Sequence, residues 1–313
     1  MMLAAPFTCW LIAKNKMGKL YILFACLLWS LAPFFIKRLD GLIDGISLSF
    51  IRFVLGLVVI FIVNLTCHRV FGTKRLQMKL NNKWIWIGGV SIGINYIFFN
   101  WGIILTSASV GILILQAQVI VLGILSAVIL KEGITRTKIS GFSMTSAGIL
   151  LVAWDGQHIR GLLESKCFFG NLLMFCAGIC WAWYALAQKI LSKDMKPMES
   201  LFNMFIIAAL VVSVPMLFVL KIQWLLIGSE LPSLLLVGIL CSGISYVFFS
   251  SGVKITEGMI AGILINSMPL FTIIIAMIVL NEKLSLTSLI GAVGIIAGIT
   301  IFLKKKRFAL LAV

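Results

Sequence analysis

Apolar runs of helical length recur along the whole chain, separated by short segments that hold most of its Lys, Arg, Asp and Glu. Crossing the hydrocarbon layer of a bilayer takes about 20 apolar residues as a helix. Such runs fall at roughly 20–36, 45–67, 84–105, 107–130, 139–154, 167–188, 200–220, 231–253, 258–281 and 284–303. Backbone polar groups cannot go unpaired in lipid, so each run must be a helix. The pattern therefore predicts an all-α integral membrane protein with ten transmembrane helices. Only the second run holds a charged side chain, Arg52. Runs 20–36 and 139–154 are short, and their ends can extend by a few residues.

The second half repeats the first. At an offset of 150, Tyr96, Phe98, Phe99, Gly102 and Thr106 meet Tyr246, Phe248, Phe249, Gly252 and Thr256. Leu130 and Glu132 meet Leu280 and Glu282, and Gly141, Ala147 and Gly148 meet Gly291, Ala297 and Gly298. At an offset of 152 the earlier helices align more weakly: Gly18 with Gly170, Trp29 with Trp181, Lys37 with Lys189. This divides the chain into an N-terminal segment (1–19), a first five-helix repeat (20–155), a second (167–303) and a basic tail (304–313). Five is odd, so the second repeat must insert upside down relative to the first. Two inverted repeats related by an axis in the membrane plane are the architecture of many secondary transporters, whose sites lie near the midplane at the repeat interface.

Composition agrees with this reading. The chain has 313 residues, 61% hydrophobic and 12% charged, against about 25% charged for a soluble domain. A soluble enzyme, a disordered protein and a DNA-binding domain are thereby excluded. The net charge of +16 does not imply nucleic acid, because the basic residues sit in short loops. Alternating those loops puts 19 of the 26 Lys and Arg on the side with both termini and six on the other. The positive-inside rule then predicts cytoplasmic termini in a plasma membrane, the inner membrane of a bacterium. Met17-Gly18-Lys19 leads straight into the first span and is an alternative start to Met1. The seven cysteines lack zinc-ligand spacing and read as small apolar packing residues. No metal or cofactor is expected. The expected partners are a small-molecule substrate and the lipid bilayer, with the oligomeric state left open.

The chain also resembles the EamA-type members of the drug/metabolite transporter superfamily, from Leu20 to Leu303. Trp29-Ser30, Phe50-Ile51-Arg52-Phe53, Lys131-Glu132-Gly133-Ile134-Thr135 and Asn281-Glu282-Lys283-Leu284-Ser285 carry the resemblance. So do the helix ends Ala147-Gly148-Ile149 and Ala297-Gly298-Ile299. The resemblance implies a ten-helix carrier with a central cavity, moving amino acids, metabolites or drugs.

Depth and repeat pairing select the candidate binding residues. Polar groups in mid-span should face protein or water rather than lipid. Gln116 and Asn266 are repeat mates on spans four and nine; Asn95 and Tyr96 lie mid-span in three, with Tyr246 in eight. Trp29 and Trp181 are mates in spans one and six, and Tyr184 extends the span-six face. Together these predict a midplane cavity for a small amphipathic solute. Gln118 is about 200° around the helix from Gln116, so one of the two should meet a neighbouring helix. Arg52 lies roughly 10 Å from the outer end of span two at 1.5 Å per residue. It either holds a substrate carboxylate or snorkels to the headgroups towards Asp44. Spans five and ten, rich in Gly, Ser and Thr, read as packing helices.

Glu132 and Glu282 precede following helices, where a carboxylate suits the positive dipole end. With Glu199 and Glu257 they sit at span edges and are expected to be largely solvated, which leaves no acid at mid-depth to carry protons. Facilitated diffusion or exchange is the expected mode. Passive channel-like flux and an intramembrane enzyme are the alternatives. An enzyme would need a nucleophile with a base or paired Asp residues in the membrane, whereas His68 and His158 both fall in expected loops.

Overall fold

Every one of the ten apolar runs contains helix in the computed structural model, which describes residues 4–71, 75–131, 135–154, 166–219, 222, 224–256, 264–265 and 267–303. In the first repeat, span one is α1 (Ala4–Ser30) with α2 (Ala32–Arg38), span two α3 (Gly45–Phe71) and span three α4 (Lys83–Leu105). Span four is α5 (Ala108–Leu115) with α6 (Ala117–Ile129), and span five is α7 (Arg136–Trp154). In the second repeat, spans six and seven are α8 (Lys166–Leu191) and α9 (Pro197–Val219). Span eight is α10 (Trp224–Gly238), a π-helical turn (Ile239–Ile244) and α11 (Ser245–Ile255). Spans nine and ten contain α12 (Ser267–Val279) and α13 (Leu286–Leu303). Seven spans are long and apolar enough to cross a membrane by length and composition, and three shorter apolar helices supply the rest. No β-strand occurs among the described residues; Ile43 and Ile222 form an isolated bridge.

Helix ends outrun the apolar runs in several places. The first helix starts at Ala4 rather than near Leu20, and α3 continues to Phe71. His68, expected in a loop, therefore sits on the last turn of α3. Hydrophobicity marks the part of a helix that needs lipid, and a helix can run on beyond it into the headgroups. His158 lies outside the described residues.

The inverted repeat is visible in the closest backbone approaches. A Cβ placed on Gly148 of α7 would lie 2.7 Å from the Gly291 carbonyl oxygen of α13. One on Gly298 of α13 would lie 2.9 Å from the Gly141 oxygen of α7. Gly141 and Gly148 are the repeat mates of Gly291 and Gly298, so the two contacts are one contact seen twice about a two-fold axis. Residue numbers run oppositely along the pair, which makes α7 and α13 antiparallel. The same relation joins α4 to α8 and α11 to α1. A Cβ on Gly102 would meet the Gly170 oxygen at 3.1 Å, and one on Gly252 the Gly18 oxygen at 2.9 Å. Small residues permit such approaches where lipid supplies no hydrophobic drive between helices. Gly89 and Gly93, four residues apart on α4, face α9 closely.

Three interruptions fall beside the middle of the bundle. Pro33 has no N–H to bond back to the Trp29 carbonyl, and span one breaks between Ser30 and Ala32. Span four breaks at Gln116, whose carbonyl accepts the Val119 N–H three residues on. Span eight carries the π-helical turn, where Ser242 Oγ donates to the Val237 carbonyl five residues back at 3.1 Å. Pro215 lies inside α9, and Pro269 is the third residue of α12.

Candidate functional site

These interruptions surround a cavity at the interface of the two repeats. Trp29, Ala32, Arg52, Asn95, Tyr96, Phe99, Leu115 and Gln118 of the first repeat line it, with Trp181, Tyr246, Ile265 and Met268 of the second. The space open to the centre of a water molecule is about 50 Å³. One water needs on the order of 10–15 Å³ counted that way, so the cavity holds a few waters and is narrow in this conformation.

Aromatic packing shapes the wall. Trp29 meets Tyr246 edge-on at 5.1 Å, and Phe205 meets Tyr246 from another side at 5.2 Å. Tyr96 stacks on Phe53 at 4.4 Å. Edge-to-face and offset geometries at these distances place ring edges against ring faces, which fixes the orientation of the lining rings. The Trp29 Nε1 hydrogen has no partner among the described residues. Asn95 donates to the Ala177 carbonyl of α8 at 2.7 Å, so its amide ties span three to span six while edging the cavity.

Arg52 is 3% exposed and does not snorkel. Its Nε donates to Ser242 Oγ at 3.0 Å, and its Nη1 donates to Asn100 Oδ1 at 2.6 Å. The guanidinium lies 4.3 Å from the centre of the Tyr96 ring, within range of a cation–π attraction. Asp44, the expected headgroup-side partner, is instead the cap of α3: its carboxylate accepts the N–H groups of Ile46 and Ser47 at 3.0 and 2.9 Å. A chain turn that needs its free amides satisfied outcompeted a distant cation.

Of the two carboxamides, Gln118 lines the cavity and Gln116 does not. Gln116 is fully buried at the span-four break, and neither its Oε1 nor its Nε2 has a partner among the described residues. The Gln118 Oε1 is likewise without a partner, but this side chain edges the cavity. Tyr184 also stands behind the wall, 6.1 Å from Tyr246 and 6.3 Å from Trp181 between ring centres. Asn266 lies outside the described residues; its neighbours Ile265 and Met268 line the cavity. Ser242 and Asn100 escaped the sequence reading. Ser242 is a small residue in an apolar run, and only the π-helical turn turns it towards Arg52. Asn100 is near the end of span three, yet four residues from Tyr96 and so on the same helical face.

The glutamates at span edges are less solvated than expected. The Glu282 side chain is 14% exposed and that of Glu199 13%. Glu199 pairs with Lys79 at 3.0 Å. Glu282 follows Asn281, whose backbone is left-handed at φ 52°, like its repeat mate Lys131 at φ 54°. That turn sends the Glu282 carboxylate across to the other repeat rather than to its own following helix. It accepts the Ala108 and Ser109 N–H groups at 2.8 and 3.1 Å, capping α5, while Ser285 caps α13. Lys37 sits 3.8 Å from the same carboxylate and donates to the Thr106 carbonyl at 2.9 Å. One end of the bundle is thus closed by a three-part junction between the repeats. Glu132 and Glu257 lie outside the described residues. Among the described residues, no cluster of three or more His, Cys, Asp or Glu is placed to hold a metal ion.

Comparison with known proteins agrees with this architecture. A model of the EamA-like transporter family matches residues 16–154 and again 168–304. The chain is 28% identical over 235 residues to the uncharacterized transporter YyaM of Bacillus subtilis, covering 73% of this chain and 75% of that one. It is 24% identical over 306 residues to an uncharacterized transporter of Archaeoglobus fulgidus, covering 94% and 99%. A crystal structure superposes with a TM-score of 0.65 over 92% of this chain and 97% of the other, at 17% identity, a likeness of fold. With two matched repeats, ten apolar helices and relatives named as transporters, the chain is a multi-pass membrane transporter and belongs to the EamA-like transporter family.

Proposed function

We propose that the protein is a carrier that moves a small amphipathic metabolite, amino acid or drug-like solute by alternating access. The observation that carries this reading is the cavity, walled by both repeats and flanked by broken helices in spans one, four and eight. Rocking one inverted repeat against the other would expose such a site to each side in turn. The Lys37–Glu282–α5 junction closes one end in this conformation. By the repeat, Lys189 and Glu132 are its mates and would form the matching closure at the opposite end in the alternate state. The charge count favours cytoplasmic termini, which puts Lys37 and Glu282 outside. Trp29, Tyr96, Trp181 and Tyr246 would hold the apolar part of the solute. Arg52, Asn95 and Gln118 would hold its polar part, with Asn266 entering from span nine and Gln116 and Tyr184 supporting from behind. No titratable acid lines the cavity among the described residues, in keeping with facilitated diffusion or exchange.

Counterflow in proteoliposomes tests the mechanism. A carrier preloaded with unlabelled solute should transiently accumulate the labelled form. Labelled solute that equilibrates without overshoot, at a rate linear in concentration, would indicate a channel instead.

The two glutamines supply a second test. Gln118→Leu should lower transport on the order of tenfold, the effect of about 1.4 kcal/mol, with little change in melting temperature. Gln116→Leu removes a buried amide that lacks partners, a group that costs about 1–3 kcal/mol when unsatisfied. Its melting temperature should hold or rise and its transport persist. Reversed outcomes would place the solute at Gln116.

A further inference from the structure

Arg52 presents more hydrogen-bond donors than the fold uses. A guanidinium has five N–H groups. One goes to Ser242 and one to Asn100, which leaves three without a partner among the described residues. The ion pairs formed among those residues are Lys37–Glu282, Arg38–Glu230 and Lys79–Glu199. None includes Arg52, so among the described residues its charge is met by neutral acceptors and the face of Tyr96. Burying a charge without a counter-ion is unfavourable, and an ionisable group inside a membrane that persists in this state points to function.

The neutral acceptors are themselves fixed. Asn100 Nδ2 donates to Ser49 Oγ at 2.8 Å and to the Gly45 carbonyl at 3.2 Å, which turns its Oδ1 to Arg52. Ser242 Oγ spends its hydrogen on the Val237 carbonyl, which leaves a lone pair for Arg52. The guanidinium is therefore held in position before any ligand arrives, with its free edge on the cavity. Ser242 owes its place to the π-helical turn, a feature often found at functional sites. The arrangement occurs once. The repeat mates of Arg52, Ser242 and Asn100 are Met204, Ile92 and Ser250, whereas the crossing glycines Gly102, Gly141 and Gly148 have glycine mates, Gly252, Gly291 and Gly298.

We propose that the cavity is an organic-anion site, in which the carboxylate of an acid with an apolar or aromatic body bridges the free N–H groups of Arg52. This rests on the carrier reading and names the substrate class. A carboxylate matches the planar fork of the guanidinium with two parallel bonds, and the low-polarity surroundings strengthen the attraction. The remaining wall, Trp29, Phe99, Trp181, Tyr246 and Met268, suits a flat apolar body. The Gln118 Oε1 is the acceptor for one N–H or O–H on that body. The space holds the acid group and little more in this conformation, so the body would enter as one end opens.

The test uses purified full-length protein and two probes of equal shape, 3-phenylpropionate and 3-phenylpropionamide, with thermal shift and tryptophan fluorescence as readouts. The acid should bind at least tenfold more tightly than the amide. Arg52→Gln should reduce acid binding to the level of the amide. Asn100→Asp, nearly isosteric, places an internal carboxylate against Arg52 and should weaken the acid at least tenfold in a folded protein. Equal binding of acid and amide by the unaltered protein, or no binding of the acid, overturns the proposal without any variant. So does full acid affinity in Arg52→Gln or Asn100→Asp. Counterflow of a neutral or cationic solute without acid binding would sink the anion site and leave the carrier. Acid binding with no counterflow of any solute would do the reverse.

Discussion

Tying residue 37 to residue 282 is expected to stop transport, and cutting the tie to restore it. Lys37 ends span one and Glu282 precedes span ten, so the Lys37–Glu282–α5 junction joins the two repeats at one end of the bundle. Hydrogen bonds to a charged group contribute about 1.5–3 kcal/mol each. Lys37 is partly exposed, so its share is smaller. A shift of about 1.4 kcal/mol between two conformations changes their ratio tenfold, which makes this junction strong enough to set the resting state. In alternating access it must also open on every cycle. Cysteines at 37 and 282, on a background with the native cysteines replaced, joined by a short reducible cross-linker, should bring counterflow to background. Reductant should return it to the level of the unlinked pair. Glu282→Gln keeps the shape but weakens the cap, and should leave that end more accessible to an impermeant thiol reagent at neighbouring positions. A linked protein that transports at the unlinked rate would mean that this end never opens.

The ten helices were legible because lipid demands one thing of every spanning segment: a run of apolar side chains as long as the bilayer is thick. The repeat was legible because its packing glycines sit where no larger residue fits, and Gly102, Gly148, Gly252 and Gly298 are pinned by backbone on the opposite helix. The aromatic cavity residues Trp29, Tyr96, Trp181 and Tyr246 were found by the same pairing. The misses share a different cause. Ser242 faces Arg52 because of a π-helical turn, and Glu282 caps α5 because Asn281 takes a left-handed backbone. Both depend on where the chain bends locally, which hydrophobic pattern does not encode. Choosing Gln118 over Gln116 for the cavity wall required knowing which helix crosses the span-four break. α8 crosses there: a Cβ on Gly178 would lie 3.0 Å from the Leu115 carbonyl.

Glycine substitutions at repeat mates should cost nearly the same in the two halves. At the mates Gly148 and Gly298 an added Cβ would come 2.7 and 2.9 Å from a carbonyl oxygen of the facing helix. Both obstacles are backbone, so α7 and α13 must part along their length to make room. Overpacking a close-fitted contact costs about 1–3 kcal/mol, occasionally more, and parting two helices forfeits dispersion contacts along the whole crossing. Gly148→Ala and Gly298→Ala should each lower the melting temperature by several degrees, and the Leu variants should yield little folded protein. Gly102→Ala and Gly252→Ala, at the α4–α8 and α11–α1 crossings, should form a second matched pair. Gly228 in α10 is the control: no atom lies within 4 Å of its added Cβ. There Ala replaces the poorer helix former, worth up to about 1 kcal/mol, so Gly228→Ala should leave melting unchanged or raise it. Melting of detergent-purified variants, followed by size-exclusion fluorescence after heating, measures all five alanine variants. A large loss at Gly148 with none at Gly298 would show that the two halves do not bear on each other about a two-fold axis, and the inverted-repeat packing would fall with it.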